Sequence, residues 1–224
     1  MNLEKVVPFG RSLDEYIKMF NLTENDFKKS ILSVADGPAS FNAEGTKLGY
    51  KINSVDPLYI FSGEEIKRRF CAVVDDIIKQ VENTPNDWVW SYHKSPQNLR
   101  KNREKVIALF CADYEIGKKD NRYNIGQLPR LKYDKNQYEL GLVSHFLFLY
   151  SAHFDQQFHI NSIDEILRIC REVRIFPLIT LQNKISPYLQ FIITYLENKG
   201  YKCKLEKVSY QLQRGGNQML IITK

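Results

Sequence analysis

Asp36-Gly37-Pro38-Ala39-Ser40 follows the apolar run Ile31-Leu32-Ser33-Val34-Ala35, and Asp56 stands nineteen residues beyond Gly37. A strand that enters such a turn and then a helix aims backbone N–H groups and the positive helix end at a ligand. An acid at the end of the next strand can accept hydrogen bonds from both hydroxyls of a ribose. Ala39 is small enough to stand where such a turn packs its helix against the strand. Together these residues are suited to holding an adenosine cofactor. The plainer alternative is a strand-turn-helix with no ligand, since Asp-Gly-Pro makes a good turn in any protein.

Other side chains could act on what is bound. His145, after Ser144, has an ordinary pKa near neutrality and could serve as a general base. The other use of such a residue is structural, bonded to a loop. Arg174 is the only charge in Val173-Arg174-Ile175-Phe176, so it must meet an acid, bind an anionic group or lie beyond the core. Trp90, with Trp88 and Tyr92, lies in a loop that could hold a flat substrate or simply cover a core. His153 and His159 have no accompanying carboxylate pattern, and no metal site is expected. Cysteines 71, 111, 170 and 203 are too far apart for a metal or disulfide framework and read as reduced thiols.

The elements that would position these groups alternate. A capping box, Ser12 with Glu15, opens helical turns over 12–30. Strands are expected over 31–35 and 51–56, with a helix over 40–48 between them, a connection that fits a parallel pair. Ser62 with Glu65 opens a long amphipathic helix, and Ser95-Pro96 opens another that ends near Gly117. Residues 123–128 form a weaker strand candidate. The apolar run 139–149 reads as a central strand flowing into a buried loop. Ser162 with Glu165 is expected to cap a short helix through Cys170. Val173–Phe176 is a strand, Ser186-Pro187 opens a helix, and 202–223 reads as a closing hairpin. This order predicts an α/β fold, a Rossmann-like three-layer α/β/α sandwich. Its seven-stranded sheet is mainly parallel, with an antiparallel strand from the C-terminal hairpin.

From about residue 31 to 224 the sequence resembles the class I S-adenosylmethionine-dependent methyltransferases. The likeness rests on the turn Val34-Ala35-Asp36-Gly37-Pro38-Ala39-Ser40-Phe41, on Asp56, on Leu128-Pro129-Arg130-Leu131-Lys132-Tyr133 before the fourth strand, on Tyr138–Ser144 as that strand, and on the final hairpin. Within that superfamily it is similar to an uncharacterised bacterial group with the steps Asp56-Pro57-Leu58-Tyr59 and Val173-Arg174-Ile175-Phe176-Pro177-Leu178. It departs from the family turn in having Ser33 at the acidic position and Ala35 and Ala39 for two glycines. Ser144-His145-Phe146-Leu147 replaces the tetrapeptide of the nucleic-acid amino methyltransferases. The resemblance implies S-adenosyl-L-methionine as cofactor, bound by Ala35, Asp36, Gly37, Pro38, Ser40, Asp56, Pro57 and Ser144. It puts Ser144 and His145 at the carboxyl ends of the strands beside the cofactor, with His145 as the candidate catalytic residue. Arg174 and Trp90 are the candidate acceptor contacts.

The 224 residues suffice for one domain, 1–224, with 60–122 as a helical insertion or cap between the second and third strands. Neither a signal sequence nor a transmembrane run is recognisable, so a cytoplasmic protein without a membrane partner is expected. The net charge is +6, and residues 94–135 hold eleven Lys+Arg against five Asp+Glu, which is the whole excess. That segment favours a small anionic substrate and leaves nucleic acid as a weaker partner. Two other functions remain open: a nicotinamide-dependent oxidoreductase, which would share the use of Asp56, and a non-catalytic nucleic-acid-binding module using 94–135.

Overall fold

Seven strands form one sheet in the order β3-β2-β1-β4-β5-β7-β6 in the computed structural model, which describes residue 3 and residues 5–224. The strands are β1 (Ile31–Val34), β2 (Ile52–Val55), β3 (Tyr123–Asn124), β4 (Tyr138–Ser144), β5 (Cys170–Phe176), β6 (Lys202–Lys207) and β7 (Gln218–Thr223). β1 to β5 run parallel, and β7 pairs antiparallel with both β5 and β6. The helices are α1 (Leu13–Phe20), α2 (Phe41–Lys47), α3 (Gly63–Asn83), α4 (Pro96–Lys119), α5 (Gln156–Ile169) and α6 (Leu189–Asn198).

Side chains alternate across a strand, so a sheet covered on both faces must be apolar throughout. β1 obeys this and is buried at every position. Its Ile31 joins a core with α1, α3 and α4, whereas Leu32 and Val34 join a second core with α5 and α6. The expected three layers are therefore present. α3 and α4, which span the expected insertion, pack on each other, and α4 also lies against α2 and β3.

The N-terminus of α1 shows how local and distant contacts combine. Ser12 and Glu15 close the expected capping box. The Glu15 carboxylate also takes a bidentate pair from Arg103 of α4, at 2.7 and 2.6 Å, and the Tyr210 hydroxyl at 2.9 Å. All three are buried, so α1 is tied to α4 by a desolvated ion pair.

Three expected boundaries differ. β3 has two residues; Gly126, two residues on, lies so close to Val55 that an added Cβ would stand 2.5 Å from it. α5 starts earlier than Ser162: Asp155 is its N-cap and accepts the Phe158 N–H at 2.8 Å, leaving Ser162 buried inside the helix. The connection between β6 and β7 is longer than a tight turn. It reaches back to the loop after α3, where Val89 N–H donates to Leu212 O. Among the described residues no helix is long and apolar enough to cross a membrane.

Candidate active site

The register sets the site. Val34 pairs with Val55 on one side and with Val143 on the other. The next residues, Ala35, Asp56 and Ser144, therefore stand at one level, the first two just past the carboxyl ends of β1 and β2 and the third at that of β4. This is where the strand order reverses, the point at which open α/β sheets bind ligands. A cavity of about 410 Å³ opens there, with Ala35, Asp36, Gly37, Asp56, Pro57, Ser144 and His145 on its wall.

The backbone at this end is unusual. Ala35 has φ +53°, Gly37 +55° and His145 +53°. Non-glycine residues in the left-handed region are strained, and such strain gathers at functional sites. Hydrogen bonds hold both residues in place: Ala35 N–H donates to Val55 O at 2.8 Å and His145 N–H to Phe176 O at 2.7 Å.

The two acids share a network. Asp56 accepts the Gly37 N–H at 2.9 Å and the Leu58 N–H at 2.7 Å. Asp36 accepts the Ser54 hydroxyl at 2.9 Å and the Tyr59 hydroxyl at 2.8 Å. Burial, together with the charge of Asp56, pushes the Asp36 carboxyl up to about 7. Burial pushes Asp56 up to about 6 against the pull of its two amide donors. His145 goes the other way: burial and the positive charges of Arg11 and Arg103 hold it well below its ordinary value, so the ring is neutral. Its Nδ1 lies 3.0 Å from Ser144 Oγ, and Ser144 in turn reaches Met19 Sδ at 4.0 Å.

The remaining expected residues are not on this wall. Ser40 and Pro38 instead hold a strap, residues 5–12. Ser40 N–H donates to Arg11 O at 3.0 Å, and the Ser40 hydroxyl bonds Glu44. Gly10 lies so close to Pro38 that an added Cβ would sit 2.2 Å from its carbonyl oxygen. Trp90 packs half-buried against the core. Arg174 meets an acid, one of the roles open to it in the sequence, and lines none of the cavities described. It donates to Asp26 Oδ1 at 2.8 Å, Glu172 Oε1 at 2.7 Å and Phe20 O at 2.7 Å, because β5 points it at the loop after α1. Its guanidinium is saturated by the protein itself.

The strap was absent from the expectations. Lys5, Val6, Val7, Pro8, Phe9 and Arg11 all line the cavity. The only signal in the sequence was Arg11 directly before the capping box. A smaller apolar pocket of about 140 Å³ continues past Asp56 and Pro57, walled by Val34, Val55, Leu128, Leu131, Phe146 and Phe158. Among the described residues no group of three or more His, Cys, Asp or Glu side chains is placed to hold a metal ion. Four cations of the basic segment are in ion pairs: Arg100 with Asp75 and Glu104, Arg103 with Glu15, Lys118 with Glu115, and Arg122 with Asp113.

The fold is that of the class I S-adenosylmethionine-dependent methyltransferases. The chain is similar to mitomycin 7-O-methyltransferase MmcR, with a TM-score of 0.52 at 10% identity, over 95% of this chain and 53% of that one. It is similar also to the methyltransferase domain of bacterial CtHen1, with a TM-score of 0.51 at 10% identity, over 95% of this chain and all of that one. No protein-family model matches. The chain belongs to the family of the uncharacterized protein MJ0045 of Methanocaldococcus jannaschii, with which it is 38% identical over 223 residues, 99% of this chain and 98% of that protein.

Proposed function

We propose that the protein transfers a methyl group from S-adenosylmethionine to a small anionic acceptor. The observation that carries this reading is the row Ala35, Asp56 and Ser144 at the strand-order reversal, with Gly37 opening onto one cavity. The residues fit the cofactor. A Cβ built on Gly37 meets nothing within 4 Å, so its backbone is free to approach a ligand. Asp56 would take the ribose hydroxyls, and the apolar pocket beyond it suits an adenine ring. That two solved structures of the same fold carry methyltransferase names adds support.

The bound cofactor would supply a methyl carbon activated by sulfonium charge, to which an acceptor lone pair would bond as the carbon–sulfur electron pair stayed with sulfur. The chain's own work is to hold the partners in line and exclude water. The strap closes one side of the cavity. His145, kept neutral, can take the acceptor's proton on its unprotonated ring nitrogen where the acceptor is acidic enough to yield it.

Calorimetry with S-adenosylhomocysteine and with NADH tests this. The expected result is binding of the first and none of the second. Binding of NADH alone would replace the reading with that of an oxidoreductase.

A further inference from the structure

One hydroxyl ties an acid of the site to the glycine that faces the ligand. Tyr59 Oη lies 2.8 Å from Asp36 Oδ1 and 2.7 Å from the Gly37 carbonyl oxygen. Both separations are those of O–H···O hydrogen bonds. A phenol has one hydrogen, and a carbonyl oxygen has none to give. With Asp36 ionised, Tyr59 donates to the carboxylate or to Gly37 O, or is shared weakly between them. One contact is then oxygen against oxygen with no full hydrogen bond. With Asp36 protonated both contacts close: the carboxyl donates to Tyr59, and Tyr59 donates to Gly37 O. The other Asp36 oxygen accepts the Ser54 hydroxyl at 2.9 Å. Ser54 in turn accepts from Asn42 Nδ2 at 3.2 Å, which leaves its hydrogen for Asp36.

Asp56 differs. Its two oxygens accept the Gly37 and Leu58 N–H groups, and a bare carboxylate meets both. The hydrogen-bond pattern thus asks for one proton on the two acids, and for Asp36 to carry it. Burial and the charge of Asp56 raise Asp36 to about 7, above the value of about 6 for Asp56. Tyr59 keeps its own hydrogen, because burial and the two acids push its phenol well above the ordinary value.

The other groups around Asp36 come from several elements. Tyr16 of α1, Tyr123 of β3 and Tyr133 before β4 are phenols raised by burial, with the Asp36 charge adding to the effect, so they are neutral. Ser33 of β1 bonds Tyr16 at 3.1 Å. Lys5 and Arg11 of the strap, Arg69 of α3 and His145 line the same cavity as Asp36. Arg69 pairs with Glu65 at 2.8 Å, Arg11 turns to the carbonyls of Phe9 and Gly10, and His145 is neutral.

We infer that Asp36 and Tyr59 form a proton-dependent clamp on the turn at Gly37. A protonated Asp36 lets Tyr59 hold the Gly37 carbonyl while Asp56 holds the Gly37 amide. Loss of the Asp36 proton draws the Tyr59 hydrogen to the carboxylate and releases the carbonyl. Gly37 lines the larger cavity, so the turn offered to a ligand is held at both its N–H and its C=O while one acid is neutral and the other charged. Tyr59 and Asp36 are positioning residues in this arrangement. The consequence for cofactor affinity rests on the methyltransferase reading; the clamp itself does not.

The clamp is read first without ligand. Carbon-13 NMR follows the aspartate carboxyls of the full-length protein from about pH 5 to about pH 9, with Asp36→Asn and Asp56→Asn assigning the two signals. Asp36 should stay protonated until about pH 7, above the step of Asp56. The Gly37 carbonyl-carbon signal should move with the Asp36 step, and Tyr59→Phe should lose most of that movement. Calorimetry with S-adenosylhomocysteine over the same range should show affinity falling about three- to tenfold above about pH 7. Asp36→Asn should remove the fall, since its amide can donate to Tyr59 at any pH. Tyr59→Phe should bind about three- to tenfold more weakly than wild type near pH 6.5 and match it at the alkaline end. Thermal melting checks that each variant is folded. An Asp36 carboxyl already ionised at pH 5 would overturn the clamp, as would a Gly37 carbonyl that moves as much in Tyr59→Phe as in wild type. A fall in affinity that Asp36→Asn retains would overturn its action on the ligand. Absence of S-adenosylhomocysteine binding at every pH counts against the methyltransferase reading alone, because the two NMR readouts still decide the clamp.

Discussion

The amide of Gly37 donates to Oδ2 of Asp56 at 2.9 Å, so the turn after β1 is held by the acid at the end of β2. That acid spends one oxygen on the turn and the other on Leu58 N–H, and still lines the cavity. Replacing it removes an acceptor for a ligand and a clamp on the loop at once. Asp56→Ala is expected to weaken S-adenosylhomocysteine binding by about 1.5–3 kcal/mol, as for a hydrogen bond to a charged group. Calorimetry is the measurement. Equal affinities in variant and wild type would remove Asp56 from the site.

The paired acids also predict a pH dependence. Both have folded-state pKa values above the ordinary aspartate value of 3.8, Asp36 at about 7 and Asp56 at about 6. Between those values the folded protein holds more protons than the unfolded chain, so stability falls as pH rises. Their contribution is complete below about pH 4 and lost through about pH 7. His93 and His145, lowered by burial, act in the opposite direction over the range around their ordinary pKa. Comparison with Asp36→Asn isolates the acid. Melting curves from pH 4 to 8 should show the variant gaining on the wild type as pH rises, by on the order of 1–3 kcal/mol at the upper end. A constant difference across the range would show that Asp36 is ionised throughout.

Arg174 now supports a prediction about stability rather than substrate. It is 8% exposed, and Asp26, whose carboxyl is held down at about 2 despite burial, depends on it and on Lys29. Arg174→Met should destabilise the protein by about 2–4 kcal/mol, because Asp26 keeps its charge with one partner fewer. Affinity for S-adenosylhomocysteine, measured well below the melting temperature, should stay within about twofold of wild type, since Arg174 lines no described cavity. A stable variant that had lost ligand binding would return Arg174 to the site.

What was readable in the sequence follows from the range of the forces. β1, β2 and the starts of α3 and α4 were legible because their signals are local: buried runs ended by Gly or Pro, and Ser caps whose side chains do bond the N3 amides at Glu65 and Asn98. The placement of Ala35, Asp56 and Ser144 at the ends of β1, β2 and β4 was legible for the same reason, once a parallel sheet was assumed. α5 was misread because Asp155 and Ser162 both offer capping chemistry, and only tertiary packing decides between them. That Arg174 would meet an acid was open in the sequence, but not which one: Asp26 lies 148 residues away, and no local pattern predicts that meeting. Arg11 and the strap were missed because a loop carries no periodicity. Its docking depends on Gly10 fitting against Pro38, which is visible only in three dimensions.

The Glu15–Arg103 pair, by contrast, should be strongly coupled. Glu15→Gln leaves Arg103 and Arg11 buried together without a counter-charge, and a loss of about 3–5 kcal/mol is expected. Replacing both partners with apolar residues, Glu15→Leu with Arg103→Met, removes the charges together and should cost much less than the sum of the single changes. Denaturant unfolding of the two singles and the double gives the coupling energy. Additive losses would mean that the pair is not the link between α1 and α4.

Gly37→Ala separates the fold from the ligand site. At φ +55° an alanine is strained, by about 1–2 kcal/mol on general grounds. Ala35 already stands at φ +53° two residues earlier, so this backbone tolerates a methyl group in that region. The new Cβ meets no protein atom within 4 Å, and Gly37 lines the larger cavity, so the methyl group points into open space that a ligand would need. Binding of S-adenosylhomocysteine should therefore fall by about tenfold or more while the melting temperature drops by only a few degrees. Paired melting and calorimetry decide the matter: a variant that binds normally would mean that the ligand does not approach the turn at Gly37.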